Sequence, residues 1–158
     1  LSGMAVTLNG IAQGYITDRV SEYLKSEGLT AVLIDMGEYR ALGPQASQMP
    51  WRIGLADPLN FGKLSEVLKI NEGAVATSSG LGEIFEPRGL YHHIIDPFTG
   101  KSSDRYLSVT VTADEATLAD ALSTAFCSLS EDAIGACLDK YPGTSAYLTQ
   151  KDGTVVKI

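Results

Sequence analysis

The stretch Ser108 to Phe126, "SVTVTADEATLADALSTAF", changes its hydrophobic period partway along. Over "LSVTVTA" apolar and hydroxyl side chains alternate, the period-two pattern of a strand with one face on a core. From Ala116 the pattern becomes helical and runs to about Leu129, followed by a second helix over about Glu131 to Lys140. Beyond the helices, "SAYLTQ" and "TVVKI" read as a terminal hairpin around Lys151, Asp152 and Gly153.

Upstream, Asn9 is placed to cap a helix whose positions Ile11, Tyr15, Ile16, Val20, Tyr23 and Leu24 follow helical spacing to about Gly28, so that stripe is expected to be mostly core. "TAVLIDMG" is a strand, and "YRALG" continues it or pairs with it. "WRIGLADP" is a further strand, stopped by Asp57-Pro58, and "LSEVLKI" and "AVATSSG" are two more joined by the turn "NEG". "LYHHII" is expected as another, broken by "DPFTG". Strands and helices mix without a βαβ rhythm and without an internal repeat. The class is α+β, a layered α/β sandwich of mixed or antiparallel sheet with packed helices.

At 158 residues and 44% apolar content, residues 1–158 suit a single domain with a sizeable core. A net charge of −7, with twelve scattered Lys and Arg, argues against a nucleic-acid groove or an anionic membrane face. No apolar run reaches the length of a membrane span. Cys127 and Cys137, ten apart in helical sequence, read as two small core residues. The opening "LSGMAVTLNG" lacks an initiator Met and runs quickly into patterned sequence. The expectation is a domain truncated at its N-terminus, with apolar surface exposed at that edge.

Chemistry can gather in three places. Both histidines of the chain, His92 and His93, stand in "YHHIIDPFTG". Imidazole exchanges protons near neutral pH, yet a strand end with His92 in solvent and His93 as a hydrogen-bonded core residue is the commoner arrangement for such a pair. In "TLADALSTAF", Asp120 and Thr124 are four apart, on one helix face with Ser123 beside them. Oxygen ligands of this kind suit Mg²⁺ or Ca²⁺. The alternative is a carboxylate serving the helix dipole and a hydroxyl bonded back to its own helix. In "TLNGIAQGYITD", Gly10 and Gly14 bracket a helix start, where N–H groups can meet phosphate or a carbonyl can turn toward a cation. Gly14 equally permits close helix packing.

Taken in order, "NGIAQGY", "DMGEYRALG", "WRIGLADP", "AVATSSG", "HHIIDPFTG" and "SVTVTADEATLADALSTAF" resemble the C-terminal half of the ApbE family, the FAD:protein FMN transferases, over nearly the full length. The resemblance implies a Mg²⁺-dependent transferase. It splits FAD at the pyrophosphate, releases AMP and attaches FMN to a Ser or Thr of a target flavoprotein. It also implies the bacterial periplasm or cell envelope, with a flavoprotein subunit of a membrane electron-transfer complex as acceptor. Carried over by position, the metal ligands fall on Asp120, Thr124, the adjacent Ser123 and the carbonyl of Gly10. The FAD contacts fall on Thr7, Gln13 and Ile94, the last through its main chain. His93 matches the motif histidine and becomes the base for the acceptor hydroxyl. His92 receives no catalytic role, and its replacement by Ala is expected to be nearly silent. Asp96 is expected to cap its turn or to assist the histidine.

The chain departs from the family pattern at Thr7, where Asp is common, at Gln13, where Lys is common, and at Glu38, where a "GGD" pattern is usual. These departures leave two other readings open: a flavin-binding or delivery protein without catalysis, and an FAD pyrophosphatase that passes FMN to water.

Overall fold

The computed structural model describes residues 3, 5–60, 62–88 and 90–158. The alternating stretch forms β6 (Ser108–Ala113), inside a six-stranded antiparallel sheet. The other members are β1 (Val32–Asp35), β2 (Tyr39–Leu42), β5 (Gly73–Ser78), β7 (Ser145–Thr149) and β8 (Val155–Lys157), in the order β1-β2-β5-β6-β7-β8. A separate two-stranded sheet pairs β3 (Trp51–Ala56) with β4 (Leu64–Ile70). Three α-helices, α1 (Ala12–Ser26), α2 (Ala116–Phe126) and α3 (Glu131–Leu138), and a short 3₁₀ turn at Gly80–Gly82 complete the described elements.

Period-two alternation divides the strands between two cores. Ala74 and Ala76 of β5, Val109 and Val111 of β6, and Ala146 and Leu148 of β7 join Ala119, Leu122, Phe126 and Ile134 of the helices in one buried cluster. Val75 and Tyr147, on the opposite face, join Ile53, Leu55 and Leu68 of the β3–β4 pair in the second. Helices, large sheet and small sheet are therefore three successive layers, the layered α+β arrangement expected from the sequence.

Four local expectations change. The "NEG" turn does not close a hairpin; it carries the chain from β4 in the small sheet to β5 in the large one. Gly73 makes that crossing with φ 112°, where a side chain would also press on the Ala113 carbonyl at 2.9 Å. "LYHHII" is not a strand, because its pairing is limited to the isolated bridges Ile84–His92 and Ile95–Ser102. There the Ser102 hydroxyl accepts the His92 N–H and donates to the His92 carbonyl, at 2.9 Å each, in place of a neighbouring backbone.

The apolar stripe of α1 is not its packing face. Ile11, Tyr15, Ile16 and Tyr23 are exposed, Val20 and Leu24 are half-buried, and Gly14, Thr17 and Ser21 are the buried residues. A Cβ on Gly14 would sit 2.3 Å from the Ala116 carbonyl oxygen, so the small face lets α1 lie directly on α2. Nor does Asn9 cap α1: Ile11 is the N-cap and provides no side-chain bond. The N–H of Gly14, the third residue of the helix and a usual target of a capping side chain, donates instead to Asp120 Oδ2 of α2 at 2.9 Å. Asp18 of α1 returns the arrangement. Its carboxylate accepts the N–H groups of Ala116 and Thr117 at 2.9 and 2.8 Å, at the first turn of α2.

Candidate active site

The end of β5, the start of α1, the middle of α2 and the loop around His93 converge on a cleft of about 1070 Å³. Its chemistry begins with hydroxyls. Ser78, the last residue of β5, places Oγ 3.1 Å from Thr124 Oγ1 and 2.8 Å from Ser123 Oγ. Gly10 brings the chain before α1 against the same point: a Cβ there would lie 3.0 Å from Thr124 Cγ2 and 3.2 Å from Oγ1. A side chain at position 10 would thus separate the backbone from Thr124.

Helical spacing puts Asp120 one turn before Thr124, and both line the cleft with Gly10. Asp120 is 5% exposed. Burial pushes its carboxyl above the usual carboxylate range, and the Gly14 N–H opposes that shift. Ser123 does not line the cleft. It is buried, donates to the Asp120 carbonyl at 3.0 Å and supports Ser78 from behind. Of the four expected metal ligands, the structure brings Gly10, Asp120 and Thr124 together at the surface of the cleft and leaves Ser123 beneath them.

A second carboxylate faces the same space. Glu38 stands between the Gly37 turn and β2 and is 7% exposed. Its Oε2 is buried with no hydrogen-bond partner. Burial first, and then the charge of Asp120, push its carboxyl up to about 8, with Asp35 adding and the Thr77 backbone opposing. Among the described residues no group of three His, Cys, Asp or Glu gathers, so the oxygens here come from two carboxylates, hydroxyls and backbone.

The histidines separate the opposite way from the strand-end expectation, because His92, not His93, turns into the protein. His92 is buried, its Nε2 lies 2.8 Å from the Ser103 carbonyl, and its Nδ1 accepts the Ile94 N–H at 3.3 Å. A carbonyl can only accept, so Nε2 carries the proton and both ring nitrogens are occupied. His93 is exposed and lines the cleft. Its Nδ1 is 3.2 Å from the Glu83 carbonyl, which by the same reasoning leaves the proton on Nδ1 and the lone pair on Nε2. A bond that holds one nitrogen and bares the other is the arrangement of an oriented base. Asp96 spends its carboxylate on the turn, accepting the Phe98 N–H at 2.9 Å and the Thr99 hydroxyl at 3.1 Å. It caps and does not reach the imidazoles by hydrogen bond.

Thr7, Gln13 and Ile94 all line the cleft. Thr7 Oγ1 accepts the Asn9 N–H at 3.3 Å, and Gln13 Nε2 donates to the Met36 carbonyl at 2.6 Å, lying across Gly37. Ile94 gives its N–H to His92 and accepts the Ser103 N–H on its carbonyl at 2.9 Å. Its main-chain N–H and carbonyl each hold one bond within the protein. Sequence reasoning missed two residues here. Ser78 lay inside the quoted "AVATSSG", and the signal that singles it out is the contact with Thr124, absent from linear spacing. Glu38 was noted only as a departure, because its partner Asp120 is far away in sequence.

The chain is 34% identical to an FAD:protein FMN transferase of Treponema pallidum over 166 residues, covering 98% of this chain and 46% of that protein. It is 35% identical to one of Vibrio cholerae over 131 residues, covering 80% of this chain and 39% of the relative. The crystal structure of the ApbE protein from Thermotoga maritima superposes with a TM-score of 0.88 at 31% identity, over 99% of this chain and 52% of that one. The chain spans about half the length of the relatives it matches. Residues 1–148 match the sequence model of the ApbE family, and the chain belongs to that family.

Proposed function

We propose that this chain carries the catalytic part of an FAD:protein FMN transferase. The observation that supports the reading is a single cleft with an oxygen cluster, Asp120, Thr124 and Gly10, on one side and the bared Nε2 of His93 also lining it. In the proposed reaction the oxygen of an acceptor Ser or Thr attacks the flavin-side phosphorus of FAD. The P–O bond to the AMP phosphate breaks, AMP leaves, and FMN remains on the acceptor as a phosphoester. The hydroxyl proton passes to His93 Nε2 and then to solvent. No covalent intermediate on the enzyme is required.

The residues present fit a hard divalent cation. The donors are carboxylate, hydroxyl and backbone oxygens, and the desolvated carboxyls have no basic side chain paired with them among the described residues. Asp120 and Thr124 would hold Mg²⁺ with the Gly10 carbonyl, and the ion would supply charge neutralisation at the pyrophosphate. Gly14 fixes Asp120 through its N–H, and Ser78 fixes Thr124 through its hydroxyl. In this reading Thr7 and Gln13 contact FAD by their side chains and Ile94 through its main chain. Neither Thr7 nor Gln13 brings charge to the pocket.

The acceptor in this reading is a flavoprotein subunit of a membrane electron-transfer complex in the bacterial periplasm or cell envelope. No helix of the described residues is long and apolar enough to cross a membrane. The test combines the full-length protein, FAD, Mg²⁺ and an acceptor bearing a Ser/Thr target motif, followed by mass spectrometry of the acceptor. A gain of one FMN, lost in Asp120→Asn, is expected. FMN released with an unmodified acceptor would identify a pyrophosphatase, and FAD bound intact would identify a delivery protein.

A further inference from the structure

Glu38 poses a physical question that its neighbours do not answer. Alternation along β2 puts Tyr39 toward the small sheet, where it packs on the second core, so Glu38 and Arg40 fall on the helix face. Arg40 finds Asp18 at 3.5 Å. Glu38 forms no ion pair among the described residues, and its Oε2 is buried and orphaned. An unpaired carboxylate oxygen in such a place costs several kcal/mol if charged, and buried polar atoms without partners are rare in native proteins. What it shares the cleft with is Asp120, another buried carboxylate. Two buried acids on one cleft, without a basic partner for Glu38, describe a place for a cation.

We propose that Glu38 supplies a second carboxylate to the divalent-cation site built on Asp120 and Thr124, so that two carboxylates hold the ion before any substrate arrives. The inference rests on the cation site proposed above and extends it to a third element of the fold. α2 contributes Asp120 and Thr124, the chain before α1 contributes Gly10, and the turn leading into β2 contributes Glu38. A second carboxylate raises affinity for the free ion, so the cation is bound first and the pyrophosphate meets a loaded site.

The experiment titrates Mg²⁺, and Mn²⁺ as a second probe, into the full-length protein without FAD, by calorimetry. Glu38→Gln keeps the shape and removes the charge. Its affinity for either ion should fall roughly ten- to a hundredfold, the range that loss of a supporting ligand costs, with Asp120→Asn losing binding. Unchanged affinity in Glu38→Gln alongside loss in Asp120→Asn would overturn the proposal and leave the site reading standing. Unchanged affinity in both would remove the cation site from this cleft altogether. An independent measurement needs no variant: the ¹³C carboxyl resonance of Glu38 in the unsubstituted protein should move during Mg²⁺ titration with the same midpoint as that of Asp120. A resonance that stays fixed while Asp120 responds would mark Glu38 as a neutral structural acid and overturn the proposal.

Discussion

His92 gives both ring nitrogens to the protein, whereas His93, the next residue, gives only Nδ1. His93→Ala in the full-length protein should therefore lower FMN transfer by roughly two to four orders of magnitude, as loss of a general base does, with FAD affinity and melting temperature little changed. Weaker FAD binding with turnover intact at saturation would make His93 a binding residue. His92→Ala, expected from sequence to be silent, should instead destabilise the fold. It strips partners from the Ser103 carbonyl and the Ile94 N–H and empties the space against Gly80, where the ring leaves no room for a Cβ. Each buried group left unpaired costs about 1–3 kcal/mol, which urea unfolding would measure. An unchanged midpoint would contradict this. The sequence could offer two imidazoles and a turn; which of them the fold would occupy depended on Ser102 and Ser103, ten residues on.

At the scale of elements, α1 and α2 lack side-chain caps of their own, and each borrows an aspartate from the other. By contrast α3 is capped locally, Ser130 Oγ accepting the Ala133 N–H at 3.4 Å. Asp18→Ala should cost about 1–2 kcal/mol, the usual loss on removing a cap, and somewhat more because Arg40 also loses its partner. A denaturation midpoint equal to the parent would refute the reciprocal cap. Gly14→Ala would gain about 1 kcal/mol in an exposed helix. Here it should destabilise, because the new methyl would meet the Ala116 backbone. A stabilised variant would show that the helices can part without loss. The helices themselves were legible from spacing. The contact face of α1 was not, since apolar periodicity marks the stripe that can be buried, while close approach selected Gly14, Thr17 and Ser21. The caps were invisible because they span about a hundred positions of chain.

For the molecule as a whole, the alternating strands and the long helical patterns gave the layers, while the crossing at Gly73 and the irregular loop around His93 came from contacts that linear patterns do not carry. The metal pair Asp120 and Thr124 was readable because both sit on one helix; Glu38 and Ser78 reach them only through the sheet. The large core also sets the behaviour of its thiol. Cys127 donates to the Ser123 carbonyl at 3.3 Å, and burial pushes its pKa from 9.0 up to about 12. The folded state thus keeps a proton that the unfolded chain releases, so this contribution to stability is complete below about pH 9 and fades as pH rises toward 12. Melting temperature should fall across that window, and iodoacetamide at pH 9 should modify the partly buried Cys137 while sparing Cys127; equal labelling of the native protein would count against it. Finally, the carboxylate assigned to the cation is the same one that accepts the Gly14 amide. Any ion drawn to Asp120 would fix the carboxylate against rotation and lengthen the lifetime of that bond, so hydrogen–deuterium exchange at the Gly14 amide becomes a gauge of occupancy, slowing as the cleft fills although the exchanging proton touches no ligand.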